Sequence, residues 1–225
     1  MENVSLPFQD RTQAGRLLGR ALAAYRGRDD ALVLALPRGG VPVACEIAEA
    51  IGAPVDLMIV RKLGTPGQEE LAMGAIASGG IRVLNEDVVV PLGISEHALS
   101  QVEARERREL ERREHAYRGA RPRPAIAGRC VILVDDGIAT GATMRAAIAG
   151  LRGQQPARIV VAVPVAPPET VAVLRHEADD VVCLAEPEFF MAIGRWYLDF
   201  AQLTDDDVRE QLARAWKARP REPTA

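Results

Sequence analysis

The chain has 225 residues, 48% hydrophobic and 26% charged, with 28 Lys and Arg against 31 Asp and Glu and a formal net charge of −3. That is enough for one α/β domain with a sizeable core, and it lacks the basic footprint of a nucleic-acid binder. Cys45, Cys130 and Cys183 are far apart, suit a reducing compartment and have no metal-ligand spacing; no apolar run spans a bilayer and the N-terminus lacks a signal-peptide profile, so a soluble cytoplasmic protein is expected.

A helix starts at Asp10, an N-cap acid with Gln13 three residues on, and buries a face of Ala14, Leu17, Leu18, Ala21, Leu22 and Tyr25. Residues 31–36 read as a buried strand ending in Pro37-Arg38-Gly39-Gly40, with a helix over 41–51. Residues 55–61 read as a second strand ending in Arg61-Lys62. Cations at a buried strand end need anions, which a ligand with several phosphates supplies. Residues 63–80 are rich in glycine and small residues and read as a mobile loop returning to a short strand at 73–77. Short strands are expected at 81–85 and 87–90. Over 95–117, Glu and Arg alternate at helical spacing, which predicts a long solvated helix with one thin contact stripe. Residues 118–129, with Pro122 and Pro124, form a linker.

The chain then reads Val131-Ile132-Leu133-Val134-Asp135-Asp136-Gly137-Ile138-Ala139-Thr140-Gly141-Ala142-Thr143. Four consecutive apolar residues predict a strand buried on both faces, hence a parallel sheet. A strand, a small-residue turn and a helix N-terminus make an anion site of backbone N–H groups and dipole. Two acids beside it would repel a bare phosphate. They suit a ligand that also carries vicinal hydroxyls or a metal, as a ribose 5-phosphate does. Beyond it, a strand at 158–164, a helix from Pro167-Pro168-Glu169 to His176, a strand at 181–184, an aromatic segment at 186–200 and an amphipathic helix at 205–216 complete the chain. Strands alternating with helices argue a doubly wound, mostly parallel sheet with its ligand at the strands' carboxyl ends. His97, His115 and His176 read as surface residues.

The central stretch closely resembles the 5-phosphoribosyl 1-pyrophosphate (PRPP) binding motif of type I phosphoribosyltransferases. Gly137 departs mildly from it, standing where the pattern usually has an apolar residue. The resemblance implies one phosphoribosyltransferase-like domain over 1–225, with a charged helical insertion at 82–124 and a C-terminal hood and helix at 186–225. It implies that Asp135 and Asp136 take the ribose hydroxyls while Gly137, Ile138, Ala139, Thr140, Gly141, Ala142 and Thr143 cradle the 5-phosphate. It assigns Arg38, Gly39 and Gly40 to a pyrophosphate loop, where a cis peptide at Pro37–Arg38 or Arg38–Gly39 is a candidate, and sets Arg61 and Lys62 facing the pyrophosphate. The catalytic set is then Arg38, Lys62, Asp135 and Asp136. The cofactor is Mg2+, carried by PRPP rather than held by protein side chains, with Asp135 and Asp136 the only candidates for contact. Phe190 and Asp199 lie in a segment loosely similar to the hood of hypoxanthine-guanine phosphoribosyltransferases, which stacks on the purine; a hydrophobic plug on the sheet edge is an equal reading. Ala139 stands where those enzymes carry a third acid, and residues 181–190 lack their lysine, so a 6-oxopurine is disfavoured. The function implied is transfer of phosphoribose from PRPP to a nitrogenous acceptor, a nucleobase, in nucleotide salvage, with a homodimer compatible. The alternative is a non-enzymatic PRPP-sensing regulator that binds nucleic acid or a protein partner.

Overall fold

The computed structural model describes residues 5–218. Asp10 caps α1 (Arg11–Ala21), its Oδ1 accepting from the Gln13 amide at 2.7 Å. β1 (Ala31–Ala35) and β6 (Cys130–Val134) are buried at every position, because helices cover both faces of their sheet. With β2 (Val55–Leu57), β7 (Arg158–Val165) and β8 (Asp180–Ala185) they form a parallel sheet in the order β2-β1-β6-β7-β8. Ala31, Val33 and Ala35 face α1, α2 (Gly40–Ile51) and α7 (Asp205–Ala218). Leu32 and Leu34 face α5 (Ala142–Arg152) and α6 (Pro168–Glu177). Helices α1 and α2 meet without side chains between them at Gly19, where a Cβ would lie 2.5 Å from the Ala50 Cβ.

The chain runs from β1 outward to β2 and later returns to β6 on the other side of β1. This reversal is the switch point at which open α/β sheets bind ligands. It lies between Ala35 and Val134, which pair in register, so the loops after β1 and β6 open side by side.

Three expectations need correction. The strand at 55–61 is two strands in two sheets. β1 ends at Ala35, opposite Leu57, so the chain beyond Met58 has no parallel partner and peels away to pair Val60 with Ala77. The stretch 63–80, expected as a loop with a short strand at 73–77, is a β-hairpin of β3 (Val60–Thr65) and a longer β4 (Gln68–Ala77), extended by β5 (Ile81–Leu84) into an antiparallel sheet packed on α5. Thr65-Pro66-Gly67-Gln68 has the Pro-Gly pair of a type II turn, and Gly67 has φ 78°. Residues 87–90 are largely the short helix α3 (Glu86–Val89), not a strand, with Glu86 and Asp87 in its first turn.

The expected helix at 95–117 is α4 (Glu96–Arg118), capped by Ser95, but it is not a merely solvated one. Glu106, Glu114 and Arg118 are buried on it. Arg118 reaches Asp56 on β2 at 2.7 Å, and Glu106 takes Arg61 of β3. Ions on α4 thus dock it to both sheets. No helix among the described residues is long and apolar enough to cross a membrane.

Candidate active site

The site is assembled from the two loops at the switch point, the start of α5 and the aromatic segment after β8. Asp135 and Asp136 end β6. Asp136 is 7% exposed, while Asp135 is only half-buried and accepts the Asp136 amide on its Oδ1 at 2.8 Å. Burial and the Asp136 charge together push the Asp135 carboxyl well above the usual carboxylate range. Burial also pushes Asp136 up, against the opposing guanidinium of Arg11, whose Nε donates to Asp136 Oδ2 at 2.7 Å.

The loop after β1 lies against this pair. The Pro37–Arg38 peptide is cis. Gly39 leaves room that no side chain could share: a Cβ there would lie 2.0 Å from Asp136 Oδ2. Gly40 is similarly close to the Val134 carbonyl, 2.6 Å from an added Cβ.

Residues 137–143 form the turn into α5. Gly137 sits under the aromatic segment, where a Cβ would come within 2.6 Å of Ile193 Cγ2, so an apolar residue at this position has no space. Ile138 is buried and its amide donates to the Val165 carbonyl at 2.9 Å. Ala139, Thr140, Ala142 and Thr143 are exposed, and Gly141 turns the chain into the helix with φ 76°. Thr170 on α6 ties the loop by donating to the Ala139 carbonyl at 2.8 Å. Exposed amides at the start of an 11-residue helix are the requirement for holding a phosphate.

The expected cations are placed differently from one another. Arg38 turns away from the acids: its Nε is 3.0 Å from Asp205 Oδ1 and its Nη1 donates to the Leu203 carbonyl at 2.9 Å. Tyr117 at the end of α4 donates to the same Asp205 oxygen at 2.6 Å. Arg61 and Lys62 do not face one ligand, because successive strand residues point to opposite faces. Arg61 gives its Nε and Nη2 to Glu106 at 2.9 and 2.5 Å. Lys62 lies on the other face, its Nζ 3.3 Å from the Glu70 carbonyl and carboxylate, and lines a cavity of about 620 Å³ together with Ala142 and Thr143.

In the aromatic segment Phe190 stacks on Trp196 with centroids 6.3 Å apart. Asp199 is spent locally, accepting from the Ala201 amide at 3.1 Å. Tyr197 stacks on Phe200 and donates its hydroxyl to the Asp136 carbonyl at 2.5 Å. Phe8 pairs with Tyr197 as an isolated bridge, so the stretch just before α1 and this segment close together over the β6 loop.

Sequence reasoning missed Arg11, Tyr197 and the Asp205–Tyr117 link. Only Arg11 left a trace, a cation in the first turn of a helix, where the dipole favours an acid.

A two-acid strand end, a helix N-terminus and a glycine loop meet at the switch point of a doubly wound sheet. The phosphoribosyl transferase domain model matches residues 11–200, and the chain belongs to that family. It is 48% identical over 208 residues to proteins of two Mycobacterium tuberculosis strains, CDC 1551 and H37Rv, each described as a "Putative phosphoribosyl transferase". The match covers 92% of this chain but only 47% of those relatives, so the chain spans about half their length. The crystal structure of TT1426 from Thermus thermophilus is similar at 46% identity and a TM-score of 0.82, over 92% of this chain and 98% of that one.

Proposed function

We propose that the chain transfers the 5-phosphoribosyl group of PRPP to a nitrogen of a small acceptor, a nucleobase, with release of pyrophosphate. The observation that carries this reading is the adjacency of the Asp135–Asp136 pair to the turn into α5, exposed at Ala139, Thr140, Ala142 and Thr143, and to the Gly39–Gly40 loop. A ribose 5-phosphate with a group leaving from C1 has its hydroxyls, its phosphate and its leaving group at those three places. In the reaction the acceptor nitrogen's lone pair forms the new bond to C1. The C1–O bond breaks, its electron pair leaves with pyrophosphate, and the acceptor's proton passes to solvent. The backbone amides of 139–143 anchor the 5-phosphate. The carboxylates orient the ribose and stabilise the positive charge that develops at C1. Lys62, held only by long contacts to Glu70, moves with the hairpin to meet the departing charge. Arg38 serves the leaving group with its guanidinium only after exchanging Asp205 for it. Closure of the hairpin excludes water.

Magnesium fits as an ion carried on the ligand's phosphates. Among the described residues no three His, Cys, Asp or Glu converge as a metal site, and Asp136 already spends one oxygen on Arg11, so the pair offers the one or two carboxylates that a substrate-borne magnesium uses. When bound, the ion neutralises phosphate charge. Free Cys45, Cys130 and Cys183 suit the cytoplasm.

A screen of nucleobases with magnesium and PRPP, followed by pyrophosphate release, tests the reading. Release that requires both an acceptor and Asp135 supports it. The engagement of Arg38 by Asp205 favours a second reading, a PRPP sensor without catalysis. Tight PRPP binding with no release for any acceptor would replace the first reading by the second.

A further inference from the structure

Arg11 stands in the first turn of α1, against the helix dipole, yet its guanidinium is only 12% exposed. Three contacts hold it there. Its Nε donates to Asp136 Oδ2 at 2.7 Å, its Nη1 to the Ala201 carbonyl at 2.9 Å, and its carbon lies 3.8 Å above the centre of the Phe200 ring. Asp136 is fixed from two further sides, by the Gly39 backbone against its carboxylate and by the Tyr197 hydroxyl on its carbonyl. The helix start gains nothing from this cation, so its place is explained by the carboxylate and the ring.

Two adjacent carboxylates at full charge would repel a ligand with several phosphates. A single buried cation beside one of them removes half of that repulsion without closing the half-buried Asp135. A guanidinium is suited to the task because its planar fork reaches a carboxylate and a carbonyl together while its face lies on an aromatic ring, which an ammonium cannot do.

We propose that Arg11 is the positioning residue of the acidic pair: it sets the direction of the Asp136 carboxylate, offsets that charge where the ligand's phosphates approach, and ties the pair to α1 and to the aromatic segment. This rests on the ribose-phosphate reading of the site. The titratable groups around Asp136 are Asp135 on its own loop, Arg11 from α1 and Tyr197 from the aromatic segment, with Asp10 beyond Tyr197. Of these, the Arg11 guanidinium opposes the rise that burial gives Asp136.

The test titrates ribose 5-phosphate without magnesium, PRPP with magnesium, and inorganic phosphate against the wild type, Arg11→Gln and Arg11→Lys from pH 5 to 8. For Arg11→Gln both sugar phosphates are expected to bind about tenfold or more weakly. The acid limb of ribose 5-phosphate binding should move up, because Asp136 without the guanidinium takes a proton more readily. Arg11→Lys keeps the charge but not the fork, so it restores the acid limb and leaves the affinity reduced. Inorganic phosphate, which needs only 139–143, should bind all three proteins alike. Wild-type affinity and an unmoved limb in Arg11→Gln overturn the proposal, as does an equal loss for inorganic phosphate, which marks general damage. Should Arg11→Gln fail to fold, wild-type affinity in Arg11→Lys overturns it. If the wild type binds phosphate but neither sugar phosphate, the phosphoribosyl reading falls by itself. The role of Arg11 is then judged without ligand, by the carbon NMR signal of the Asp136 carboxyl at pH 8, where an unchanged signal in both Arg11→Gln and Arg11→Lys overturns it.

Discussion

Burial and the neighbouring Asp136 charge hold the Asp135 carboxyl well above the usual range, so the folded chain binds that proton more tightly than the unfolded chain does. The contribution to stability is complete below the unfolded value near 3.8 and is lost as pH rises through the raised folded value. Asp135→Asn removes a carboxyl whose charged form the fold disfavours. It is expected to be more stable than the wild type at pH 7, with a margin that shrinks toward pH 4, and to bind PRPP about ten- to a hundredfold more weakly. Urea unfolding at the two pH values and calorimetry check both halves; a variant destabilised at pH 7 would contradict the first. Asp136→Ala should behave oppositely, costing about 3 kcal/mol because it leaves the Arg11 guanidinium buried beside a void. No local pattern in the sequence marks Asp136 as a support of the fold. Its partner is 125 positions away.

At the scale of elements, the β3–β4 hairpin and α4 move the two strand-end cations apart. The hairpin ladder shifts register between Leu63 and Thr65, where pairing is weakest. Amides of residues 63–74 are expected to exchange quickly in the free protein and to slow with magnesium and PRPP, with little change in β6 or β7. Hydrogen exchange by mass spectrometry checks this, and equal protection with and without ligand would count against hairpin closure. Helix α4 is held by a buried ion pair rather than by an apolar stripe alone. Arg118→Met removes the cation facing Asp56 and should cost about 3 kcal/mol in chemical unfolding, whereas truncating the exposed Arg105 should cost almost nothing. The alternation of Glu and Arg revealed the helix, because helical spacing is local. Which ions turn inward depends on Asp56 and Arg61, set by strands some fifty residues earlier.

At the scale of the whole molecule, two layers of helices seal the sheet, and the half-buried thiols of Cys45 on α2 and Cys183 on β8 report on the packing at the margin of that seal. Burial raises Cys45 and Cys183 to about 12. At pH 8 only on the order of one in ten thousand of such thiols is ionised. Labelling by a thiol reagent at pH 8 should therefore be slow in buffer and follow the urea unfolding curve; stoichiometric labelling within minutes in buffer would show that the seal opens locally.

By itself the sequence determined the parallel core, the two acids at its central strand end, the small-residue turn after them and most helices. These follow from local patterns: unbroken apolar runs, capping residues, and glycines where the chain turns sharply. Tertiary structure alone decided that the stretch after β1 and the stretch after β6 share one cleft, because strand order is a property of the sheet and not of any segment. It also decided that 55–61 divides between two sheets, that Arg38 lies with Asp205, that Arg61 and Lys62 part, and that Arg11 guards Asp136. Each is a contact between residues distant in the chain, whose partners were chosen by burial and charge rather than by neighbourhood.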